Sequence, residues 1–449
     1  MVDRSFPTVT VIGAGLAGCE AALQLAARGV PVRLVEMRPE HPTPVHKTGD
    51  VAELVCSNSL KSTDPETAAG SLKYELDALG SQLLACAFDT RVAAGGALAV
   101  DRDEFSAAVQ RLIDASPNIE LVREECTSIP EGPVIIATGP LTADALAAQL
   151  ADELGSQGLA FYDAAAPIVE ADSIDRSVVF AQSRYDKGGT ADYLNAPFNK
   201  EEYEAFVDEL VAARRVIEKD FERRELFAAC QPVEEVARTG RDALSHGALK
   251  PVGLTDSRTG KRPWAAVQLR AENAAASAYN LVGFQTNLRF GEQERVFRMI
   301  PGLENAEFSR YGVMHRNTFV DTPHVLTKTL AMPSRPEVHL AGQLTGTEGY
   351  LEAVASGLFV ALAVYAELAG LDEPTLPRES LFGCLLAYAT DPATTDYQPM
   401  HVNYGIIEPI EPKIRNKRER KAAYAARAHG AIDAFVAERA DLFEEALAS

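Results

Sequence analysis

The sequence predicts an α/β protein in which a doubly wound parallel-sheet domain is built from both ends of the chain, with a mixed α/β domain inserted between them. Three observations predict it. Residues Val9 to Glu36 read strand, glycine turn, helix, strand; an apolar strand ending in small residues recurs at Pro133 to Gly139; and another, Val338 to Gln343, returns near the C-terminus. Between the last two, the texture changes to alternating strands, hairpin signals and Gly/Pro punctuation such as Asp186-Lys187-Gly188-Gly189. The boundaries drawn this way assign residues 1–161 and 325–449 to the first domain and 162–324 to the insert.

The first unit carries the chemistry. In Gly13-Ala14-Gly15-Leu16-Ala17-Gly18, the first glycine makes the turn, the second lets the backbone approach a pyrophosphate, and the third lets helix and strand pack closely. The helix that follows aims its free N–H groups and positive dipole end at the phosphates. Glu36, at the tip of the second strand, is placed to hydrogen-bond a ribose. Arg38, Asn58, Thr138 and Gly139 join the expected nucleotide-binding set.

Further along, Arg38 to Asp50 is a Pro-rich, His-containing loop, and Asp64-Pro65-Glu66 predicts the N-cap and first turn of a helix through Leu79. A helix is expected over Asp103 to Ile113, a strand pair over Asn118 to Ile129, polar helices over Lys200 to Val216 and Asp220 to Ala229, and an Ala-rich helical end. The late strand-glycine-helix unit, with Gly342, Gly346, Gly349 and Tyr350, separates flavin from nicotinamide. A short NAD domain would finish its sheet in the first third of the chain, whereas a late helix aimed at the cofactor is how large FAD-binding, glutathione-reductase-like Rossmann proteins are built.

Composition narrows the class. The chain has 449 residues, 47% apolar and 24% charged, the balance of an ordinary globular protein. A net charge of −21 argues against general coating by nucleic acid, but leaves room for a local basic footprint. Cys19, Cys56, Cys86, Cys126, Cys230 and Cys384 have neither metal-ligand spacing nor a disulfide framework, so no metal is expected and a reducing, cytoplasmic setting is. The chain enters its first strand at once, which is read as lacking a signal peptide, and no stretch is read as membrane-spanning. The nearest candidate, Leu351 to Ala369, carries Glu352 and Glu367 and is expected to be a buried helix.

The remaining motifs run the whole length in one order. They include VIGAGLAGCEAA at 11–22, AELVCSNSL at 52–60, AGGALAVDRDEFS at 94–106, ADYLNAPF at 191–198, FAACQPVEEVARTG at 227–240, LKPVGLTDSRTGKRPWAAVQLR at 249–270, MIPGLENAEFSRYGVMHRNTF at 299–319 and AGQLTGTEGYLEA at 341–353. On these the chain resembles the bacterial folate- and FAD-dependent RNA uridine-5-methyltransferases, the TrmFO family. The resemblance implies transfer of the methylene carbon of 5,10-methylenetetrahydrofolate to C5 of a uridine, with NADH or NADPH as the reductant.

C5 of uracil is a weak nucleophile until a group adds at C6, and a cysteine thiolate suits that reversible addition. By resemblance Cys230 is that thiolate. Pro232, with Glu234 and Glu235 behind it, predicts a helix starting at Pro232, whose positive end would lower the pKa of the nearby Cys230 thiol. Cys56, between apolar residues and cap-formers, is expected at an element end near the flavin, where the resemblance gives it proton removal from C5 or shielding of the one-carbon unit. The other cysteines read as small buried hydrophobes.

Weaker candidates are His315, Arg316 and Asn317, grouped in one turn that could hold a pterin or a uracil edge. Glu348 and Glu352 could equally cap the late helix; Lys250, Arg270, Asp192 and Asn195 are open assignments. Lys413, Arg415, Lys417, Arg418, Arg420 and Lys421 form a basic run that is either a solvated helix face or a phosphate-contacting surface, helped by Arg214, Arg215, Arg223 and Arg224. The expected partners are tRNA and folate, with no DNA, membrane or obligate protein partner. Ribosomal RNA as target, and a flavin reductase without RNA, stand as alternatives.

Overall fold

The computed structural model describes residues 6–43, 45–155, 159–164, 166–186, 190–216, 231–312, 314–395 and 397–443; for 159–164 and 314–318 it describes the backbone alone. Its first sheet has six strands in the order Ala331–Met332, Arg335–Leu340, Val134–Ile136, Val9–Ile12, Val32–Glu36, Ile119–Arg123, all neighbours parallel except the first pair. The central strands are Val/Ile-rich and almost wholly buried, Thr10 alone interrupting the run, as strands in a covered parallel sheet are. The chain switches direction across the sheet at Val9–Ile12, the place where such folds open a crevice at the strands' C-terminal ends.

Two helices meet above that crevice. Leu16–Ala27 packs against Tyr350–Ala369 so closely that a Cβ on Gly357 would lie 2.1 Å from the Ala17 carbonyl oxygen. By length and apolarity Tyr350–Ala369 does qualify as a membrane-crossing segment, contrary to the sequence-based expectation. Every residue from Leu351 to Ala366 is nevertheless buried inside the protein, as expected of a core helix.

A second six-stranded sheet, antiparallel, runs Phe180–Ala181, Tyr193–Phe198, Ala265–Ala271, Ala278–Leu281, Ile168–Glu170, Phe308–Arg310. It is backed by Lys200–Ala212, whose Asn199 and Glu202 form a reciprocal cap, over a core of Phe198, Tyr203, Phe206, Phe284 and Phe297. The antiparallel pair Leu159–Ala164 and Met314–Phe319 lies between the two sheets in sequence, and Ser59–Ser62, Ala97–Val100 and Arg91–Val92 make a small third sheet.

Several local expectations shift. The early helix is Ala68–Ala78 with Thr67, not Asp64, as its cap: Asp64 instead closes a turn, its carbonyl accepting from Thr67 N–H, and the Thr67 hydroxyl accepts from Gly70 N–H at 3.1 Å. Asn118 to Ile129 yields one strand, Ile119–Arg123, rather than a pair: it is the edge strand of the first sheet and pairs in parallel with Val32–Glu36. His315, Arg316 and Asn317 sit in the strand Met314–Phe319, not in a turn. The polar helix from Lys200 ends at Ala212, and the expected helix over Asp220 to Ala229 lies outside the described residues.

Candidate cofactor and catalytic site

The glycine turn behaves as its spacing demands. Gly13 has φ +98°, and a Cβ there would lie 2.6 Å from the Ala137 carbonyl oxygen. On Gly18 a Cβ would fall 1.8 Å from the Gly13 oxygen, so this glycine is needed for helix and turn to touch. Gly15 is different: nothing lies within 4 Å of the position its Cβ would take, and it starts the helix with no side-chain cap. The free space and unsatisfied N–H groups suit a pyrophosphate. Glu36 accepts from Ala14 N–H at 2.9 Å and from Arg38 Nε at 2.8 Å. Burial pulls its pKa up, but the hydrogen bonds and charge of Arg38 outweigh that and leave it below the usual carboxylate value.

A cleft of about 1060 Å³, open mouth included, starts at this turn. It runs past Glu36 and Arg38 on one side and Thr138 and Gly139 on the other, and reaches Gly342 and Tyr350 at the late helix. Its extent from the glycine turn to Tyr350, the Glu36 carboxylate at the tip of the second strand and the uncapped helix end fit an extended dinucleotide such as FAD. Gly346 and Gly349 do not line it: both have positive φ and act as backbone corners, Gly346 beneath the Tyr397 hydroxyl and Gly349 beside the Glu352 carboxylate.

Where the cleft ends, the Leu54–Asn58 segment is held by side chains in place of a strand ladder. The Tyr350 hydroxyl accepts from Cys56 N–H at 2.8 Å and Ser57 N–H at 3.0 Å. Arg102 donates to the Leu54 carbonyl and, at 3.3 Å, to that of Cys56, while Arg310 donates to the carbonyl of Val55. Arg270 donates to the Ser57 hydroxyl at 2.6 Å and to Asn58 Oδ1 at 2.8 Å, and Asn58 Nδ2 donates to the carbonyls of Val100 and Ala271 at 3.0 Å. Glu272 pairs with Arg102. Burial, then the nearby Cys56 sulfur, push the Tyr350 phenol well above its usual pKa, so it stays protonated. Burial, then the like charge of Arg102, lower the pKa of Arg310.

Asn58, expected among the cofactor contacts, is therefore fully buried in this scaffold and not in the cleft. Glu352 does not cap its helix; it accepts from Lys61 Nζ at 3.0 Å and Val402 N–H at 3.2 Å. Glu348 accepts from Gln343 Nε2 at 2.5 Å. Asp192 accepts from Gly95 N–H at 2.5 Å, tying the insert to the small sheet, and Asn195 Nδ2 donates to the Gln182 carbonyl at 2.9 Å within its own sheet. Arg214 and Arg215 pair with Glu292 and Glu235, and Lys250 is exposed. Cys230, Arg223 and Arg224 lie outside the described residues, as do the side chains of His315, Arg316 and Asn317; the helix expected from Pro232 starts one residue later, Val233–Arg238, with Pro232, its backbone not helical, as its cap.

The basic run divides. Lys413 and Arg415 are exposed ahead of the helix Lys417–Glu438; Lys417 and Arg418 are exposed on its first turn, and Arg420 and Lys421 are half-buried. Sequence reasoning missed Arg102, Arg310, Glu272, Lys61 and the buried Lys73, whose ammonium donates to the carbonyls of Leu60 at 2.6 Å and Ser62 at 2.8 Å. Arg102 alone left a signal: a cation on a helix's first residue opposes the dipole and asks for another reason to be there.

Fold and cleft together define a two-part Rossmann protein of the flavoprotein type. The family model described as Glucose inhibited division protein A matches residues 8–372. The chain is 53% identical over 429 residues to the methylenetetrahydrofolate--tRNA-(uracil-5-)-methyltransferase TrmFO of Pelotomaculum thermopropionicum, covering 95% of this chain and 98% of that one. It is 53% identical over 422 residues to the protein of that name from Moorella thermoacetica (94% and 96% covered), and 51% over 421 to that from Bacillus licheniformis (94% and 97%). Among solved structures, Aquifex aeolicus GidA in its form I crystal superposes with a TM-score of 0.68 at 16% identity, over 98% of this chain and 78% of that one, a likeness of fold. The chain belongs to the TrmFO family.

Proposed function

We propose that this chain transfers the one-carbon unit of 5,10-methylenetetrahydrofolate to C5 of a uridine in the T-loop of tRNA. Residues 1–161 and 325–449 would form the FAD domain and 162–324 the insert that presents the RNA. The observation that carries the reading is the junction at Tyr350: this one residue lines the dinucleotide cleft and holds the backbone of Cys56.

The turn Gly13, Ala14, Gly15, Leu16, Ala17 and Gly18 and the helix behind it would take the pyrophosphate, with Glu36 on the ribose and Arg38 fixing Glu36. Thr138, Gly139 and Gly342 would line the path toward Tyr350. Bound and reduced FAD would supply the two electrons that turn a methylene into a methyl group, drawn from NADH or NADPH.

The protein's own steps are then nucleophilic and acid–base. The Cys230 thiolate adds to C6 of the uracil, and the electron pair displaced from the C5–C6 double bond makes C5 nucleophilic. Once C5 has bonded to the one-carbon unit its hydrogen must leave as a proton; Cys56 takes it, and loss of Cys230 from C6 restores the double bond. To reach a thiol the uracil must leave its stack, which suits a folded RNA loop. His315, Arg316 and Asn317 are assigned to the folate or the uracil edge.

The test is transfer of isotope from labelled methylenetetrahydrofolate into unmodified RNA with reduced nicotinamide present, wild type against Cys230→Ala. Label in tRNA as 5-methyluridine, and with wild type only, is the expected result. Label in ribosomal RNA would move the target, and no label from a yellow, reducible protein would overturn the reading.

A further inference from the structure

The insert carries a surface that the proposed reaction leaves unused. Residues 249–264 contain Lys250, Arg258, Lys261 and Arg262 against a single acid, Asp256, in a chain of net charge −21. Asp256 is taken up by Arg258 at 2.9 Å, leaving Lys250, Lys261 and Arg262 exposed to solvent.

An aromatic ring stands at each end of this basic stretch. Trp264, the chain's single tryptophan, is 45% exposed with the Lys200 ammonium 5.4 Å from its ring centre. Tyr185, 65% exposed, lies over Gly253, where an added Cβ would come within 3.0 Å of the ring. Tyr185 and its neighbour Asp186 have φ of +57° and +51°, left-handed backbone that non-glycine residues adopt only under constraint. The constraint is visible: Tyr185 N–H donates to the Gly253 carbonyl at 2.9 Å, and the Arg184 guanidinium to the carbonyls of Lys250 and Val252. The base is rigid, with Leu254 packed on Phe180 and Ala266, and the Leu249 carbonyl accepting from Ala266 N–H. A left-handed backbone thus holds one face of the ring on Gly253 and leaves most of it in water.

Exposed rings flanked by cations suit one class of occupant above others. An unpaired base offers a π-face to a ring while its phosphate meets the cation; a paired stem hides its faces. We propose that Tyr185 and Trp264 form a stacking platform for unpaired bases of RNA, a binding surface additional to the cleft. The proposal rests on the reading of this chain as an RNA-modifying enzyme.

The single tryptophan makes the test direct. Trp264 emission is followed while the flavin-loaded protein is titrated with an unmodified tRNA transcript, and binding is scored independently by anisotropy of labelled transcript. Quenching should track the anisotropy. Trp264→Leu and Tyr185→Ala should each weaken binding roughly fivefold or more, the size of one base–aromatic stack. Lys261→Glu with Arg262→Glu, which disturbs no packing, should weaken it too and reduce its salt dependence. Binding with Trp264 emission unchanged, or variants that bind as wild type does, overturns the platform and leaves the RNA reading standing. A wild-type protein that binds no transcript removes both.

Discussion

The Tyr350 hydroxyl accepts the backbone N–H of Cys56 at 2.8 Å, so the first residue of the late helix fixes the thiol-bearing segment across a separation of 294 residues. The same oxygen accepts from Ser57 N–H. Tyr350→Phe keeps the ring but strips both amides of their acceptor, at a cost of roughly 1–3 kcal/mol for each amide that stays out of reach of water. We expect lower stability in urea, retained FAD, and methyl transfer reduced tenfold or more. Full turnover in that variant would separate Cys56 from the reaction or from Tyr350.

Arg270 makes a different kind of grip. Its Nε and Nη2 reach Asn58 Oδ1 and the Ser57 hydroxyl together, a two-pronged geometry that lysine lacks. Arg270→Lys should cost roughly 1–3 kcal/mol, because one buried acceptor is left unpaired. It should also lower turnover, since Cys56 lies next to Ser57. Urea unfolding and a single-turnover assay check the two effects separately; equal stability would show that water replaces the missing prong.

These interactions mark the limit of what the sequence revealed. The glycine turn was legible because each glycine answers to something within a few residues or to the next strand. The grip on Leu54–Asn58 was not, because its side chains come from Arg102, Arg270, Arg310 and Tyr350, on four different elements. His315 to Asn317 looked like a turn because their pairing partner, Leu159–Ala164, lies about 150 residues earlier. Asp64 looked like a cap because Asp-Pro-Glu satisfies the local rule, and only the turn that it closes onto Thr67 shows why Thr67 takes over. The helix from Tyr350 is long and apolar enough to cross a membrane, and the sequence pointed to the core only through Glu352 and Glu367; its packing against the helix of Ala17 and Gly18 bears the core reading out.

Gly15 and Gly18 should part company on substitution. A methyl at Gly18 collides with the Gly13 oxygen, so Gly18→Ala should destabilise the fold and lose FAD with it. A methyl at Gly15 meets nothing, so Gly15→Ala should fold as wild type yet come off the column colourless, because the methyl stands where a pyrophosphate must approach. Thermal unfolding and the visible spectrum read both. A yellow Gly15→Ala protein of undiminished affinity would move the pyrophosphate elsewhere.

Glu75 sets a pH dependence with a defined sign. Fully buried, it accepts from Leu381 N–H at 2.7 Å and Phe382 N–H at 2.9 Å, which hold its charged form, but desolvation dominates and raises its pKa to about 7 from 4.5. Between those values the native protein keeps a proton that the unfolded chain has released. Its contribution to stability therefore falls as pH rises from about 4.5 to 7, by up to about 1.4 kcal/mol per pH unit. Glu75→Gln, which cannot titrate, should remove that slope from urea midpoints measured across the window. An identical slope in both proteins would assign the titration to other groups.

The basic helix start offers a test in which stability and binding move apart. Lys417 and Arg418 occupy the first turn of Lys417–Glu438, where the helix dipole disfavours cations, and Arg418, itself exposed, has the Glu66 carboxylate 3.8 Å away, a long and solvent-screened pair. Replacing Lys417, Arg418 and Lys421 by Glu should thus leave thermal stability unchanged or slightly raised. If these side chains meet phosphates, the same variant should bind a tRNA transcript at least tenfold more weakly, and the slope of log affinity against log salt should shrink by roughly 0.7–0.9 for each phosphate no longer neutralised. Weaker binding without a change in slope would point to altered shape instead of absent phosphate pairing. Unchanged binding would leave the run as a solvated helix face, whose cations then oppose their own helix without return.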